Sequence, residues 1–491
     1  MRLKELLNIV RIDIPESLTD FEVKGLSLNS KDVSDGYIFF SIKGMKTDGR
    51  IFAQDAVKAG ARLIVAEINY KDEYKEFHNA IFVDNVRKSM AEISCAYYSN
   101  PSAKLKVIGV TGTNGKTTIS YIIKSILKEN GYKCGLIGTI DYITGSTKSE
   151  AKLTTPDSIE MNKMLFEMTE NRLDFCVMEV SSIALINYRV STIKFDTAIF
   201  TNLTSEHMDL HSNMENYFKA KKILFDILPE SSLAISNKDD EYGVRLLESF
   251  KGEKKYYSII NESELKADDI KIGLNGLSFK IELNGETYVV TSSLTGRFNV
   301  YNILAGILVG LKYGIDINTI LNAVSKFKAA KGRFNRTMLP NGACAIVDYS
   351  HTSDSLKNAI EAAIDVRNSE EVKGKVITVF GCGGDKDKTK RPVMGKIATD
   401  LSDYVIISSD NPRTEDPLSI IKDIEKGIDA NKQYEVESDR DKAIKRSIEI
   451  SDKGDIILIC GKGHETYQEI NGVKSHFDDQ EVIQKYSYLA K

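Results

Sequence analysis

Lys106-Val-Ile-Gly-Val-Thr-Gly-Thr-Asn-Gly-Lys116-Thr-Thr118 is an apolar strand that runs into a glycine-rich turn, a lysine and paired threonines. Such a stretch predicts a phosphate cradle. Glycines let backbone N–H groups turn inward around an anion, a helix starting near Lys116 points its positive end at it, and a hydroxyl such as that of Thr117 can ligate Mg²⁺. The spacing misses the pattern G-x-x-x-x-G-K-[ST] by one residue, because Val110 stands five before Gly115 and the nearest glycine is Gly109. The loop is a variant, and its spacing is itself a clue. Gly112, Thr113, Asn114, Gly115, Lys116, Thr117 and Thr118 are its candidate nucleotide contacts.

The rest of the chain bounds what such a loop can serve. Its 491 residues exceed one ordinary core and predict two to four domains, three being natural at about 150 residues each. Lys and Arg total 66 against 70 Asp and Glu, a net charge of −4 that offers no footprint for nucleic acid. No run approaches 18 apolar residues, so no membrane span is predicted. The opening Met1-Arg-Leu-Lys-Glu-Leu-Leu-Asn carries an acid and no cleavable apolar core, which argues against a signal peptide. Cys95, Cys134, Cys176, Cys344, Cys382 and Cys460 are scattered, with no C-x-x-C, and are expected to be reduced, buried and structural in a cytoplasmic protein.

The N-terminal region alternates strand-like runs (37–42, 61–66, 80–83) with helix-like ones (52–59, 86–98), a small α/β unit closed by Asn100-Pro101-Ser102. The middle continues in the same manner, with strands expected at 134–140, 175–180, 198–203 and 233–236 and helices at 158–170 and 215–228. Such alternation predicts a mostly parallel sheet covered on both faces. From Tyr256 to Thr291 the pattern turns hairpin-like, with Asn275-Gly276 and Asn284-Gly285 as turn signals, and predicts an antiparallel insertion before the helical run 302–313. After Lys331-Gly332-Arg333, strands at 345–348, 376–380, 404–407 and 456–459 each end in a polar or glycine-rich turn. Three α/β domains are therefore expected, at 1–100, 101–332 and 333–491, the central one built on the phosphate loop.

Several strand ends carry chemistry. Phe175-Cys-Val-Met leads to Glu179-Val-Ser-Ser182, where a carboxylate can hold Mg²⁺ or its water. Thr201-Asn-Leu-Thr-Ser-Glu206-His207-Met-Asp-Leu-His211 is a polar cluster that a solvated loop also explains. Lys219, Lys221 and Lys222 read on their own as a solvated lysine face. Asp348-Tyr-Ser-His351-Thr352, Gly381-Cys-Gly-Gly-Asp385-Lys386, Asp410-Asn411-Pro412-Arg413 and Gly461-Lys-Gly-His-Glu465 close four strands of one region. Each alone is more often a turn than a site. Four together favour a site.

With these residues assembled, the chain resembles the Mur ligase family over its full length. The carrying stretches are Thr111–Thr118, Thr154-Thr155-Pro156, Glu179–Ser182, Glu206-His207, Asn299-Val-Tyr-Asn302, Asp348–Thr352, Gly381–Asp385, Lys390-Arg-Pro392, Asp410–Arg413 and Gly461–Glu465, and the one-residue departure in the loop is the family's own form. The resemblance implies an N-terminal domain gripping a UDP end, a central ATPase domain and a Rossmann-like C-terminal domain that receives an amino acid. It implies ATP-dependent ligation of a diamino acid to UDP-N-acetylmuramoyl-L-alanyl-D-glutamate through an acyl phosphate, by a monomer. Lys116, Glu179, His207 and Lys221 would then be catalytic, with Thr117 and Glu179 serving two Mg²⁺ ions, the second of them shared by His207 and a carbamylated Lys221. Asn302, Arg333, Asp348 and His351 would contact ATP. Ser30 and the turn Met45, Lys46 and Thr47 would meet uridine diphosphate, while Thr154, Thr155, Ser181, Asn187 and Arg189 would hold the muramoyl peptide.

The amino acid is read from the C-terminal motifs. Asp410-Asn411-Pro412-Arg413 resembles the family's signature for meso-diaminopimelate, whose far carboxylate can take a bidentate pair from Arg413, with Glu465 and the Gly461 carbonyl on the distal ammonium. Lys386 stands where relatives carry arginine, which leaves meso-lanthionine open and L-lysine as a further alternative. Ile183, Asn187, Glu206 and Asn335 also depart from the family pattern, and the sequence offers no physical account of Asn335. A folate-type glutamate ligase, a non-ligase phosphate-loop NTPase and a dinucleotide oxidoreductase are the rivals. The first has no need of residues 410–413, and the last would want a G-x-G-x-x-G after a first strand.

Overall fold

The computed structural model describes residues 1–13, 15, 18–44, 48–369 and 374–490. The expected uridine-contacting turn Met45, Lys46 and Thr47 lies outside the described residues. The chain forms two compact units, one of Met1–Thr111, Tyr132–Ala198 and Ala220–Ser232, the other of Gly112–Gly131, Ile199–Lys219 and Leu233–Lys491.

The first unit opens with a four-stranded parallel sheet of Gly25–Ser27, Tyr37–Phe40, Ala61–Glu67 and Ala80–Val83, in that order. Successive side chains point to opposite faces, and both faces are covered. Ile38, Phe40, Leu63, Val65 and Ile81 pack with Val86, Met90 and Ile93 of the helix Val86–Tyr97, while Phe39, Ile64 and Ala66 pack with Ala53, Ala56 and Tyr74. The strand Lys106–Thr111 then pairs in parallel with Phe175–Glu179, which pairs in parallel with Cys134–Ile137. Antiparallel Asp141–Ile143 and Lys148–Glu150 finish this edge.

The helix Lys116–Glu129 belongs to the second unit, with Ile119, Ile122, Ile123, Ile126 and Leu127 buried at helical spacing. There Leu233–Asn237, Glu253–Ser258 and Leu265–Lys266 are parallel neighbours. The antiparallel insertion is shorter than its sequence pattern suggests. It occupies Asp268–Gly273, Gly276–Leu283 and Glu286–Ser292, and the strand containing Tyr256 is parallel instead. A half-covered strand of a parallel sheet shows the same mixed pattern as a hairpin, which explains the misreading.

The last sheet has six strands, ordered Asn335–Met338, Cys344–Asp348, Ile456–Cys460, Val376–Phe380, Tyr404–Ile407 and Tyr434–Val436, all parallel but the first. Ile346, Phe380, Ile407 and Leu458 face one apolar core; Val347, Val379, Ile406 and Ile459 face another. The chain leaves Cys344–Asp348 and returns two places away, with Ile456–Cys460 filling the gap. This is a topological switch point, where ligands bind beyond the carboxyl ends of strands. Asp348, Gly381, Asp410 and Gly461 all lie at or just beyond those ends.

Candidate active site

In the second unit the phosphate loop is held from below by polar residues rather than by packing alone. Asn202 accepts the Thr113 amide on its carbonyl at 2.8 Å and the Asn114 amide on its side chain at 3.0 Å. Thr201 donates its hydroxyl to the Asn114 carbonyl at 2.6 Å. Gly112 and Gly115 have φ of 141° and 87°, which L side chains rarely adopt. A Cβ at Gly115 would also come within 2.6 Å of Asn302 Oδ1. Lys116 folds over the loop, its Nζ donating to the carbonyls of Gly112 and Thr113 at 2.9 Å each.

Residues from the last sheet approach the same loop. Arg333 donates Nη2 to the Thr117 hydroxyl at 3.1 Å and lies over the Tyr349 ring. Its own amide donates to Asn335 Oδ1 at 3.1 Å. Asn335 therefore pins the turn that carries Arg333, which accounts for a residue the sequence left unexplained. Asp354, missed in the sequence, accepts on one oxygen from Asn114 at 2.9 Å, Thr204 at 3.2 Å and Asn358 at 3.0 Å. Asn302 donates to Asn299 Oδ1 at 2.9 Å, at the back of the loop. Asp348 accepts the Phe334 amide at 2.8 Å and the Ser350 amide at 2.9 Å, so its carboxylate holds two turns in register.

Glu206 and His207 end the loop between the strand Thr197–Phe200 and the short helix Met208–His211. His207 has φ 58°, and His211 stacks on the buried Tyr217 at 4.8 Å. His351 Nδ1 donates to the Tyr349 carbonyl at 2.8 Å, and Nε2 lies 3.3 Å from Glu206 Oε1. Burial would push the Glu206 carboxyl up, but the His351 hydrogen bond and the charges of His207, His351 and Lys116 bring it well below the usual carboxylate range. The anion is thus kept beside the loop lysine.

In the first unit Glu179 is buried, level with Val110 on the neighbouring strand. Its Oε1 accepts the Thr139 amide at 2.9 Å and its Oε2 accepts the Thr139 hydroxyl at 3.0 Å. Thr139 also meets Thr154 at 3.1 Å, and Thr155 donates to the Glu179 carbonyl at 2.8 Å and lies 3.4 Å from the Ser181 hydroxyl. Arg189 donates to the Thr155 carbonyl at 2.7 Å. Thr154, Thr155, Ser181 and Arg189 thus form one patch. Asn187 caps its own helix turn through the Ile183 carbonyl at 2.8 Å, and Ser30 lies apart at the end of the first parallel sheet. Lys221 contradicts the solvated lysine face: it is 1% exposed, whereas Lys219 is exposed. On its helix it falls four residues after Tyr217 and three before Leu224, both buried, so it lies on the core side.

The switch-point motifs form a third cluster, in the second unit. Arg413 has φ 53°, its amide donates to the Glu469 carbonyl at 3.0 Å, and its carbonyl accepts from Asn471 at 2.6 Å. The hairpin of Tyr467–Ile470 and Val473–His476 thus grips it. Arg413 Nη1 donates to the Gly384 carbonyl at 2.7 Å, and its Nε lies 3.9 Å from Glu469 Oε2. Asn411 donates to Glu465 Oε2 at 2.7 Å, Asp410 is buried, and Gly461 reaches the Asp348 carbonyl at 3.1 Å. Pro412 backs the turn, its carbonyl accepting from Glu415 at 3.0 Å. Lys386 is exposed, one residue from Asp385, whose carboxylate accepts the Thr414 hydroxyl at 2.7 Å. Burial, with the charge of Asp410, pushes the Glu465 carboxyl up.

A glycine-rich loop opening a helix at the end of an α/β strand, with a lysine folded over it, is that of a phosphate-loop nucleotide-binding protein. Three family models match the chain, described as the Mur ligase family catalytic domain over residues 22–98, the Mur ligase middle domain over 110–310, and the Mur ligase glutamate ligase domain over 332–463. The chain belongs to the Mur ligase family. It is 42% identical over 489 residues, 99% of each chain, to the UDP-N-acetylmuramoyl-L-alanyl-D-glutamate--2,6-diaminopimelate ligase of Clostridium tetani. A solved structure of a ligase of that name matches with TM-score 0.68 and 31% identity over 98% of both chains. The MurF ligase of Thermotoga maritima in complex with ADP shares the fold, at TM-score 0.67 and 18% identity over 97% of this chain and 99% of that one.

Proposed function

We propose that this chain joins 2,6-diaminopimelate to UDP-N-acetylmuramoyl-L-alanyl-D-glutamate in an ATP-dependent reaction that forms a C–N bond. The D-glutamyl side-chain carboxylate attacks the terminal phosphorus of ATP, releasing ADP and leaving an acyl phosphate. The amine of diaminopimelate then attacks that carbonyl, and phosphate departs with the C–O bond electrons. Carboxylate and triphosphate repel, so the chain must supply positive charge and hold the reactants in line. Lys116 and the loop amides provide the charge, Arg333 and His351 flank the nucleotide, and Asn302 and Asp348 keep their surroundings in place. Thr154, Thr155, Ser181, Asn187 and Arg189 receive the muramoyl peptide, and Ser30 with residues 45–47 receives the uridine end.

Mg²⁺ fits the residues present. No group of three or more His, Cys, Asp or Glu side chains gathers around one point among the described residues. Mg²⁺ takes one or two carboxylates and completes its shell with phosphates and water. Thr117 and Glu179 would serve such ions, and His207 would share a second one with Lys221, where the ions would neutralise charge developing on the phosphates. A lysine buried like Lys221 repels a cation as an ammonium; as a carbamate it becomes an oxygen ligand. Domain boundaries near residues 100 and 332, a monomeric state and a cytoplasmic setting complete the proposal. No described helix is long and apolar enough to cross a membrane.

The observation that carries the choice of amino acid is Arg413, whose fork is oriented by the Gly384 carbonyl at Nη1 and by Glu469 3.9 Å from Nε, so that Nη2 is the group to offer a substrate carboxylate. The test is product mass after incubation with ATP, Mg²⁺, the UDP-muramoyl dipeptide and equal diaminopimelate, lanthionine and lysine. Diaminopimelate product should dominate; lysine as the main product would overturn the assignment.

A further inference from the structure

Two fully buried cations stand beneath the switch point, and they are matched differently. Arg440 forms a bidentate pair with Asp479 at 2.8 Å and 2.8 Å and also donates to the Ser409 and Cys460 carbonyls, so one cation meets one anion through both of its oxygens. Lys462, 0% exposed, instead has three partners on two segments, with Glu465 as its carboxylate partner. Its Nζ donates to Asn411 Oδ1 at 3.3 Å and to the Tyr467 carbonyl, and lies 3.5 Å from Glu465 Oε2. Asn411 donates to that same Oε2 at 2.7 Å. Both grips fall on one oxygen of Glu465, and among the described residues no donor reaches Oε1.

We infer that Lys462 is a positioning residue for the incoming diamino acid, fixing Oε2 of Glu465 so that Oε1 is left to accept from the substrate's distal ammonium. The inference rests on the reading of Glu465 as the ammonium acceptor. Charge supports it. Burial and the Asp410 anion push the Glu465 carboxyl up, while Lys462, the Asn411 hydrogen bond and His351 oppose them, Lys462 most strongly; the Tyr349 phenol faces it as well. Without Lys462, Glu465 would stay protonated to higher pH and lose its hold on an ammonium. A buried lysine of purely structural value would have no such consequence.

The experiment measures KM for diaminopimelate and for ATP against pH in the full-length wild type, K462M, K462R and E465Q. In K462M, KM for diaminopimelate should rise about tenfold at pH values on the acidic limb with KM for ATP within about twofold, a tenfold change there corresponding to about one unit in a carboxyl pKa. Its acidic limb should move to higher pH. K462R retains the charge and should keep the limb where the wild type has it. The inference is overturned if both KM values rise together, if the limb stays put in K462M, or if K462R moves it upward by a unit; the K462R arm decides alone should K462M not fold. If E465Q leaves KM for diaminopimelate unchanged, the reading of Glu465 fails instead, and if wild type forms no product the proposed function fails.

Discussion

Lys221 and Lys462 show why residue type alone misleads: lysine is almost never fully buried, yet both are. Burial of an ammonium is unfavourable unless it is paired or altered, so such positions point to chemistry or to organisation. For Lys221 the expected outcome is that Lys221→Ala leaves less than about a hundredth of wild-type turnover, a loss of at least about 2.7 kcal/mol of transition-state stabilisation. Steady-state kinetics check it, and normal activity would remove the carbamate reading. At Arg413 the expectation is more specific. A charge-assisted hydrogen bond is worth about 1.5 to 3 kcal/mol, so Arg413→Ala should raise KM for diaminopimelate roughly ten- to hundredfold and leave KM for ATP nearly unchanged. Equal effects on both would mean that the residue only supports the fold. The motif containing Lys462 was visible in the sequence, but its role was not, because only burial separates it from the exposed Lys386.

At the scale of elements, strand-to-turn transitions were the most legible features. The strand Lys106–Thr111 and the helix Lys116–Glu129 stand where the glycines and the lysine place them, and the helix Ser158–Glu170 starts one residue after its cap, Asp157. Strand partners were not legible, since nothing local says that Cys344–Asp348 pairs with Ile456–Cys460, over a hundred residues away. Asp354, Arg440 and Asp479 were missed for the same reason: their partners are distant in sequence. The loop itself yields a prediction. Gly115→Ala forces a side chain into a positive-φ position against Asn302, so the nucleotide cradle should deform. ATP affinity by calorimetry should fall at least about tenfold, a loss of about 1.4 kcal/mol. Unchanged affinity would show that the loop's backbone does not hold the phosphates.

At the scale of the molecule, acid stability follows from carboxylates held by buried cations. Arg391, 0% exposed, donates to Glu415 at 2.9 Å and to Asp423 at 3.0 Å. Its hydrogen bond is the main reason that Glu415 is held down at about 2, and the Asp385 amide adds to it against burial. A depressed carboxyl stabilises the fold fully above its ordinary value near 4.5, and that contribution disappears as pH falls through about 2. E415Q should therefore be less stable than wild type at pH 7, with the gap narrowing between pH 4.5 and 2. Urea midpoints at several pH values check this, and a gap constant with pH would refute it. The six cysteines carry a different, practical consequence. None forms a disulfide; Cys176, Cys344, Cys382 and Cys460 are buried, while half-buried Cys95 and Cys134 both belong to the first unit. A maleimide dye added to the native protein should therefore mark that unit alone, giving a fluorescent reporter confined to it without changing a single residue.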